Sequence, residues 1–188
     1  MDHERGRHAI PSRGASWRRS IGPGVKTGAL FQRALQSARS GRLTMFSRLM
    51  QEVVPFNRPH RIRVVDLSAD QCKVLLPWRR RNLNHVGTMH ACALATAAEY
   101  ASGLCLLNAM EHQQVRLVMA NLNITYPRRA QSACTAVAKL DSQHLADILA
   151  QLDKEGRGAF VLKAQVKNAD NEVVASAEIT WHLKRLSA

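Results

Sequence analysis

From Met89 to Leu107 the chain is small and apolar on nearly every side, through Ala91, Ala93, Ala95, Ala97, Ala98, Ala101, Ser102 and Gly103, with Met89, Leu104 and Leu107 beside them. A helix that is apolar all round is stable only when its surroundings bury it, so the rest of the chain must wrap around this one. One carboxylate, Glu99, interrupts the run. Burying a carboxylate is costly unless it has a partner or a task. Two readings follow. In the first, Glu99 is satisfied by a hydrogen bond to His90, His112 or a neighbouring strand. In the second, it is a catalytic acid whose pKa is set by burial. The run from Ala91 to Met110 also has the length of a membrane span, but Glu99 and its polar neighbours argue against one.

The residues ahead of the run, Asn84-His85-Val86-Gly87-Thr88-Met89-His90-Ala91, read as a loop entering a helix. Thr88 is the expected N-cap, its hydroxyl accepting from first-turn amides. His90 and Ala91 then fall in the first turn, where N–H groups lack intrahelical acceptors and the dipole is positive. Such an end can hold a developing oxyanion, and Asn84 or His85 can add a side-chain donor. The alternative is an ordinary capped helix after an ordinary turn.

Around this segment the hydrophobic period changes to two. Cys72, Val74, Leu76 and Trp78 share one strand face, with Ile62 and Val64 on a hairpin partner. Val118, Ala120, Leu122, Ile124 and Tyr126 form the next expected inward face, and Cys134, Ala136, Ala138 and Leu140 the one after. Phe160, Leu162, Ala164 and Val166 oppose Lys163, Gln165 and Lys167. After a turn at Asp170-Asn171, Val173, Ala175, Ala177, Ile179, Trp181 and Leu183 share a face. Period-two patterning of this kind marks a sheet with one covered and one more polar face. Two amphipathic helices complete the order. Phe46, Leu49, Met50 and Val53 mark the first, with Thr44 as cap and Pro55 as stop. Leu145, Ile148, Leu149 and Leu152 mark the second, with Ser142 as cap and Gly156 beyond its end. Helix, two strands, long apolar helix, two strands, short helix and two strands suit an α+β arrangement, an antiparallel sheet wrapped around one central helix.

Residues 1–44 read differently, as a basic, disordered N-terminal extension ahead of a domain at 45–188. They carry nine basic residues against Asp2 and Glu4, with only a faint pattern at Leu30, Phe31, Ala34, Leu35 and Ala38. Two other readings are a start of translation at Met45 and an organellar transit peptide with a weak helix at 29–39. The net charge of +13 invites nucleic acid, yet no zinc-finger, RNP-type or helix-turn-helix signature accompanies it. No specific nucleic-acid partner is therefore expected. Arg79-Arg80-Arg81 and Arg128-Arg129 are the basic clusters of the domain; each reads as phosphate-binding or as solvated loop charge. Cys72, Cys92, Cys105 and Cys134 contain no C-x-x-C pair and fit buried, reduced thiols. His85, His90 and Glu99 lack zinc-motif spacing, so no metal and no cofactor is expected. Near Met1 there is no apolar stretch of the kind that directs secretion, and the expectation is a reducing, cytoplasmic setting, or the mitochondrial matrix if 1–44 is a transit peptide.

The signature at 84–99 resembles that of the hotdog-fold acyl-CoA thioesterases, particularly the PaaI-like group and its uncharacterised branch. That pattern is Asn, two residues, Gly-Thr, an apolar residue, His, two small residues and, about eight positions on, Asp or Glu. Asn84, Gly87, Thr88, Met89, His90, Ala91 and Glu99 match it position by position, and the likeness spans roughly 45–186. Two departures stand out: Ala91-Cys92 replaces the Gly-Gly that the family often has, and the acid is Glu where others carry Asp. The resemblance implies a hotdog fold, a homodimer or dimer of dimers, and hydrolysis of an acyl-CoA substrate to free acid and CoA. Glu99, Asn84, His90 and Ala91 would be the catalytic residues, and Gly87, Thr88, Arg128 and Arg129 would bind substrate. A non-catalytic acyl-CoA-binding or regulatory module on the same fold is the rival reading. A weaker third is a nucleic-acid-associated protein acting through the basic extension.

Overall fold

Nearly every expected apolar face becomes a wall of one core. The computed structural model describes residues 33–38, 40–110 and 114–186. In chain order the elements are α1 (Leu43–Val53), β1 (Arg63–Leu67), β2 (Gln71–Leu76), α2 (Ala91–Ala109), β3 (Val115–Thr125), β4 (Cys134–Lys139), α3 (Ser142–Glu155), β5 (Arg157–Lys167) and β6 (Val173–Arg185). The strands form a single antiparallel sheet in the order β1-β2-β4-β5-β6-β3. This sheet curls around α2, which packs against β2, β4, β5 and β6. The expected α+β architecture is the observed one.

Inward residues of the sheet meet small residues of the helix. Cys72, Val74, Leu76, Cys134, Ala136 and Ala138 are wholly buried, as are Ala97, Ala98 and Ala101 of α2. Gly103 shows why small residues are needed. A Cβ there would come within 3.0 Å of the Trp181 ring. The ring's Nε1–H donates to Ser102 Oγ at 3.0 Å, and Ser102 Oγ–H donates to the carbonyl of Glu99 at 2.9 Å. The indole is thereby buried with its one polar group satisfied.

Several local expectations are corrected. In β3 the ladder to β6 shifts between Met119 and Asn121, so one extra residue inverts the pleat. Ahead of this bulge Val115 and Leu117 face the core, and beyond it Leu122 and Ile124 do. Val118 and Ala120, expected inside, are exposed. Trp78 lies past the end of β2 and is exposed. Thr44 falls inside α1, whose N-cap position is Arg42 and carries no side-chain cap. In α3 the cap is Asp141, one residue before Ser142, with Oδ1 accepting from the His144 amide at 2.8 Å. Gly156 ends α3 at φ 67°, as its place in the sequence predicts.

The expected boundary at residue 45 also moves. Residues 33–38 are helical, and Ala34 and Leu35 are buried in the core. Packing therefore reaches back along the faint apolar pattern to residue 34, with Ala38, one helical turn on from Ala34, set against the same core. Residues 1–32 and His112 lie outside the described residues. Among the described residues no helix is long and apolar enough to cross a membrane.

Candidate functional site

The loop before α2 is a closed polar turn. Asn84 Oδ1 accepts from the amides of Val86 (3.1 Å) and Thr88 (3.0 Å), and Asn84 Nδ2 donates to Thr88 Oγ1 at 2.8 Å. The Asn84 amide donates to the Thr88 carbonyl at 2.8 Å. Closing so tight a loop puts Gly87 at φ 75°, a left-handed conformation that glycine adopts without strain. Asn84 and Thr88 thus hold each other, and one Nδ2 hydrogen of Asn84 is left for anything entering from outside.

The cap of α2 is His90, not Thr88. His90 Nδ1 accepts from the Cys92 amide at 3.0 Å, and the His90 carbonyl accepts from Ala93 and Leu94. The backbone enters the helix two residues later than the Thr signal suggests, because Thr88 is spent on Asn84. This redistributes the first-turn donors. The His90 amide, expected to be free, donates to the Asn82 carbonyl at 2.8 Å. The Ala91 amide has no acceptor among the described residues, and it stands at the positive end of a 19-residue helix.

Ala91 lines a groove of about 270 Å³ together with Asn84, Thr88, Tyr126, Arg128 and Arg129. Two bonds hold its walls together. The Met89 amide donates to the Ala130 carbonyl at 2.8 Å, and Tyr126 Oη–H donates to the Ala91 carbonyl at 3.1 Å. Burial, and next the charge of Cys92, raise the Tyr126 phenol above its ordinary pKa, so it remains a donor at neutral pH. Tyr126 is a groove residue that sequence reasoning assigned only to a strand face. Its signal was its place directly before Pro127-Arg128-Arg129. Arg128 is already engaged, its Nη1 at 2.5 Å from Glu172 Oε1. Arg129 is exposed, and Gly87 shapes the turn without lining the groove.

Glu99 is not in this groove. Eight residues along α2 at ~1.5 Å each put it about 12 Å from Ala91 along the axis. It is partly buried, and no described residue hydrogen-bonds or pairs with its carboxyl. Burial alone pushes its pKa from 4.5 up to about 7. Cys92 is exposed and Ala95, Thr96 and Glu99, at helical spacing from it, are half-buried, so between its two less buried ends α2 keeps one stripe that the described residues leave partly uncovered. Cys92, expected to be buried, is exposed on that stripe; Cys72, Cys105 and Cys134 are buried, and all four are free. Among the described residues no group of three or more His, Cys, Asp or Glu side chains could hold a metal.

Comparison with known proteins agrees with this architecture. A family described as a domain of unknown function, DUF4442, matches residues 42–183. No curated protein matches the sequence. A Pseudomonas aeruginosa protein of unknown function, described as a probable thioesterase, is 24% identical and superposes with a TM-score of 0.69 over 76% of this chain and 96% of its own. A thioesterase from Haemophilus influenzae is 16% identical, with a TM-score of 0.62 over 78% of this chain and 92% of its own. At these identities the likeness is one of fold, and the shared fold is the hotdog. The chain belongs to the DUF4442 family, built on the hotdog fold of these thioesterase neighbours.

Proposed function

We propose that the protein hydrolyses acyl-CoA thioesters in a composite site formed by two copies of the chain. The observation that carries this reading is that α2 bears two complementary groups, the Ala91 amide and the Glu99 carboxyl, each without a partner among the described residues and about 12 Å apart along the axis. Reacting groups must come within about 3–3.5 Å of each other, so one chain cannot bring both to one carbonyl. Two α2 helices packed side by side along their uncovered stripes, running in opposite directions, would set Glu99 of each copy near the helix start of the other. The outer edge of β3, unpaired among the described residues, supports the same assembly.

In this site the Ala91 amide, with the remaining hydrogen of Asn84 Nδ2, polarises the thioester carbonyl and holds the oxyanion. His90 acts by capping the helix and fixing the first turn. The Glu99 carboxylate takes a proton from water as the water oxygen bonds to the carbonyl carbon. The C–S bond then breaks, and the thiolate leaves with the proton from Glu99. Direct attack by the carboxylate, giving a mixed anhydride that water opens, ends in the same products. A pKa near 7 suits either role at neutral pH. Arg129, and Arg128 if it leaves Glu172, supply charge for the CoA phosphates. The free thiols fit a reducing compartment such as the cytoplasm.

The test is a panel of acyl-CoA esters of graded acyl size with free-thiol detection, run on the purified full chain. Thiol release on at least one ester, abolished in the Glu99→Gln variant, is the expected result. Saturable acyl-CoA binding with no thiol release would assign the protein to the non-catalytic rival. Neither binding nor release would overturn both.

A further inference from the structure

A second cavity, of about 1080 Å³, lies apart from the groove at the start of α2. Its walls carry Arg48 from α1, Arg58 and Arg61 from the connection to β1, Arg63 from β1, and Arg79 and Arg81 from the segment after β2. Among the described residues no acidic side chain lines it. Among the described residues only Arg58 has a carboxylate nearby, Glu52 at 3.8 Å, and that pair is well exposed. Arg79 Nη1 is buried and has no hydrogen-bond partner among the described residues. A buried guanidinium nitrogen left unpaired is costly, and converging like charges repel, so a fold gains by bringing an anion to such a place.

The walls are held by dedicated polar bonds. Ser47 Oγ accepts from the Val64 amide at 2.9 Å, and Gln51 Nε2 reaches the Ile62 carbonyl at 3.5 Å, fixing α1 against β1. Asn82, wholly buried, donates through Nδ2 to the carbonyls of His60 (3.0 Å) and Pro77 (2.9 Å). One side chain thereby ties the Arg58–Arg61 wall to the Arg79–Arg81 wall. Arg61, on the first of these walls, stands at φ 52°, a left-handed conformation that costs a non-glycine residue on the order of 1–3 kcal/mol.

We propose that this cavity binds a compact polyanion carrying two or more phosphate groups. Guanidinium forks match phosphate oxygens two at a time, and the cavity has the size of a pocket for a nucleotide-scale ligand. A concave wall built from four separate segments suits a small ligand better than a nucleic-acid strand lying along a surface. The same chemistry has two sources: the nucleotide end of a CoA thioester, or a free polyphosphate acting as an effector. Asn82 also accepts the His90 amide with its carbonyl, so the residue that ties two walls of the cavity together is the one that seats the start of α2. The proposal stands whether or not the protein turns over thioesters, and its test reads binding directly.

The experiment is calorimetric titration of the full chain with inorganic tripolyphosphate and with adenosine 3′,5′-bisphosphate at physiological salt. It is repeated on Arg79→Gln/Arg81→Gln and, on other walls, on Arg48→Gln/Arg63→Gln, each checked for an unchanged thermal midpoint. Saturable tripolyphosphate binding in the wild type, weakened about 10-fold or more in each pair, is expected, since each pair removes charge-assisted hydrogen bonds. The same ligand should bind Lys163→Gln, an exposed cation on β5 away from the cavity, as it binds the wild type. Displacement of tripolyphosphate by CoA would identify the nucleotide end of CoA as the source; binding of both at once would identify a free effector. No saturable binding, or equal affinity in a folded Gln variant, would overturn the site. A single-stranded oligonucleotide that binds more tightly than tripolyphosphate, with the same loss in the variants, would overturn it in favour of a nucleic-acid surface.

Discussion

At β1 the sheet stops after five residues, with a bulge between Val64 and Asp66, and Ser47 of α1 satisfies the edge by bonding both the amide and the carbonyl of Val64. At β3 it stops after eleven residues with no such cover among the described residues, and Val118 and Met119 are exposed. The first edge carries the devices that keep strands from pairing with strangers. The second has the length and apolar exposure of a strand that pairs with another copy. One end of the sheet is closed by the chain itself, and the other is open among the described residues, where the proposed reading seats a second copy. In that proposal the stripe of α2 that carries Glu99 gives the assembly its chemical purpose.

The largest expected effect falls on Glu99. Glu99→Gln should keep dimerisation and acyl-CoA binding while lowering turnover about 100-fold or more, the scale of a lost acid–base group, as measured by initial-rate kinetics with a sedimentation control. In the wild type the rate should rise with pH through about 7 as the carboxyl ionises, and the variant should lack that limb. Stability should move the opposite way. The folded chain holds a proton between pH 4.5 and about 7 that the unfolded chain releases, so the wild type loses stability as pH rises through 7. Chemical denaturation at pH 5 and pH 8 should show this loss in the wild type and not in Glu99→Gln.

Next in size is the contrast between the edges. Two carboxylates at β3, Val118→Asp with Met119→Asp, should convert dimer to monomer and abolish thioester hydrolysis together. Val65→Asp at the exposed part of β1 should change neither. Light scattering and activity on the same samples read both outcomes. A monomeric β3 variant with full activity would separate assembly from chemistry and break the comparison.

The smallest effect is at the closed edge. Ser47→Ala removes the side chain that accepts from the Val64 amide and donates to its carbonyl, at a cost of about 1–2 kcal/mol in urea unfolding. It also leaves a β1 edge that should self-associate at high concentration. A variant as stable and as well behaved as wild type would show that Ser47 does not guard this edge.

What the sequence made legible follows from how far each signal reaches. Alternation along β2, β4, β5 and β6 is set by the residues themselves, and the core faces read from it are buried except at two ends, Trp78 past β2 and Val173, which is half-buried beside the wholly buried Val174. In β3 the same logic failed at Val118 and Ala120, because a one-residue bulge leaves no mark in an apolar-polar pattern. The caps failed for a related reason. Thr88, Thr44 and Ser142 are all good capping residues, but a cap is chosen by where the backbone turns, and Asn84 claims Thr88 before the helix can. Ala34 and Leu35 were visible as a faint pattern, with too few partners in sequence to reveal that the core would receive them. The signature from Asn84 to Ala91 was legible as a unit because its bonds are local. The groove it shares with Tyr126, and the cavity that gathers arginines from Arg48 to Arg81, exist only through tertiary contact.

The central claim is that one copy's helix start and the other copy's Glu99 make a single site. Subunit mixing tests it most directly. Ala91→Pro removes the unpaired amide at a first-turn position that accommodates proline. Each of Glu99→Gln and Ala91→Pro alone should form inactive dimers. Exchanged together, they should regain activity in the hybrid, where one of the two sites has both its Glu99 and its Ala91 amide intact. Recovered thiol release that tracks the fraction of hybrid dimer is the predicted result. Hybrids that form in the expected proportion and remain as inactive as the parents would contradict the shared site.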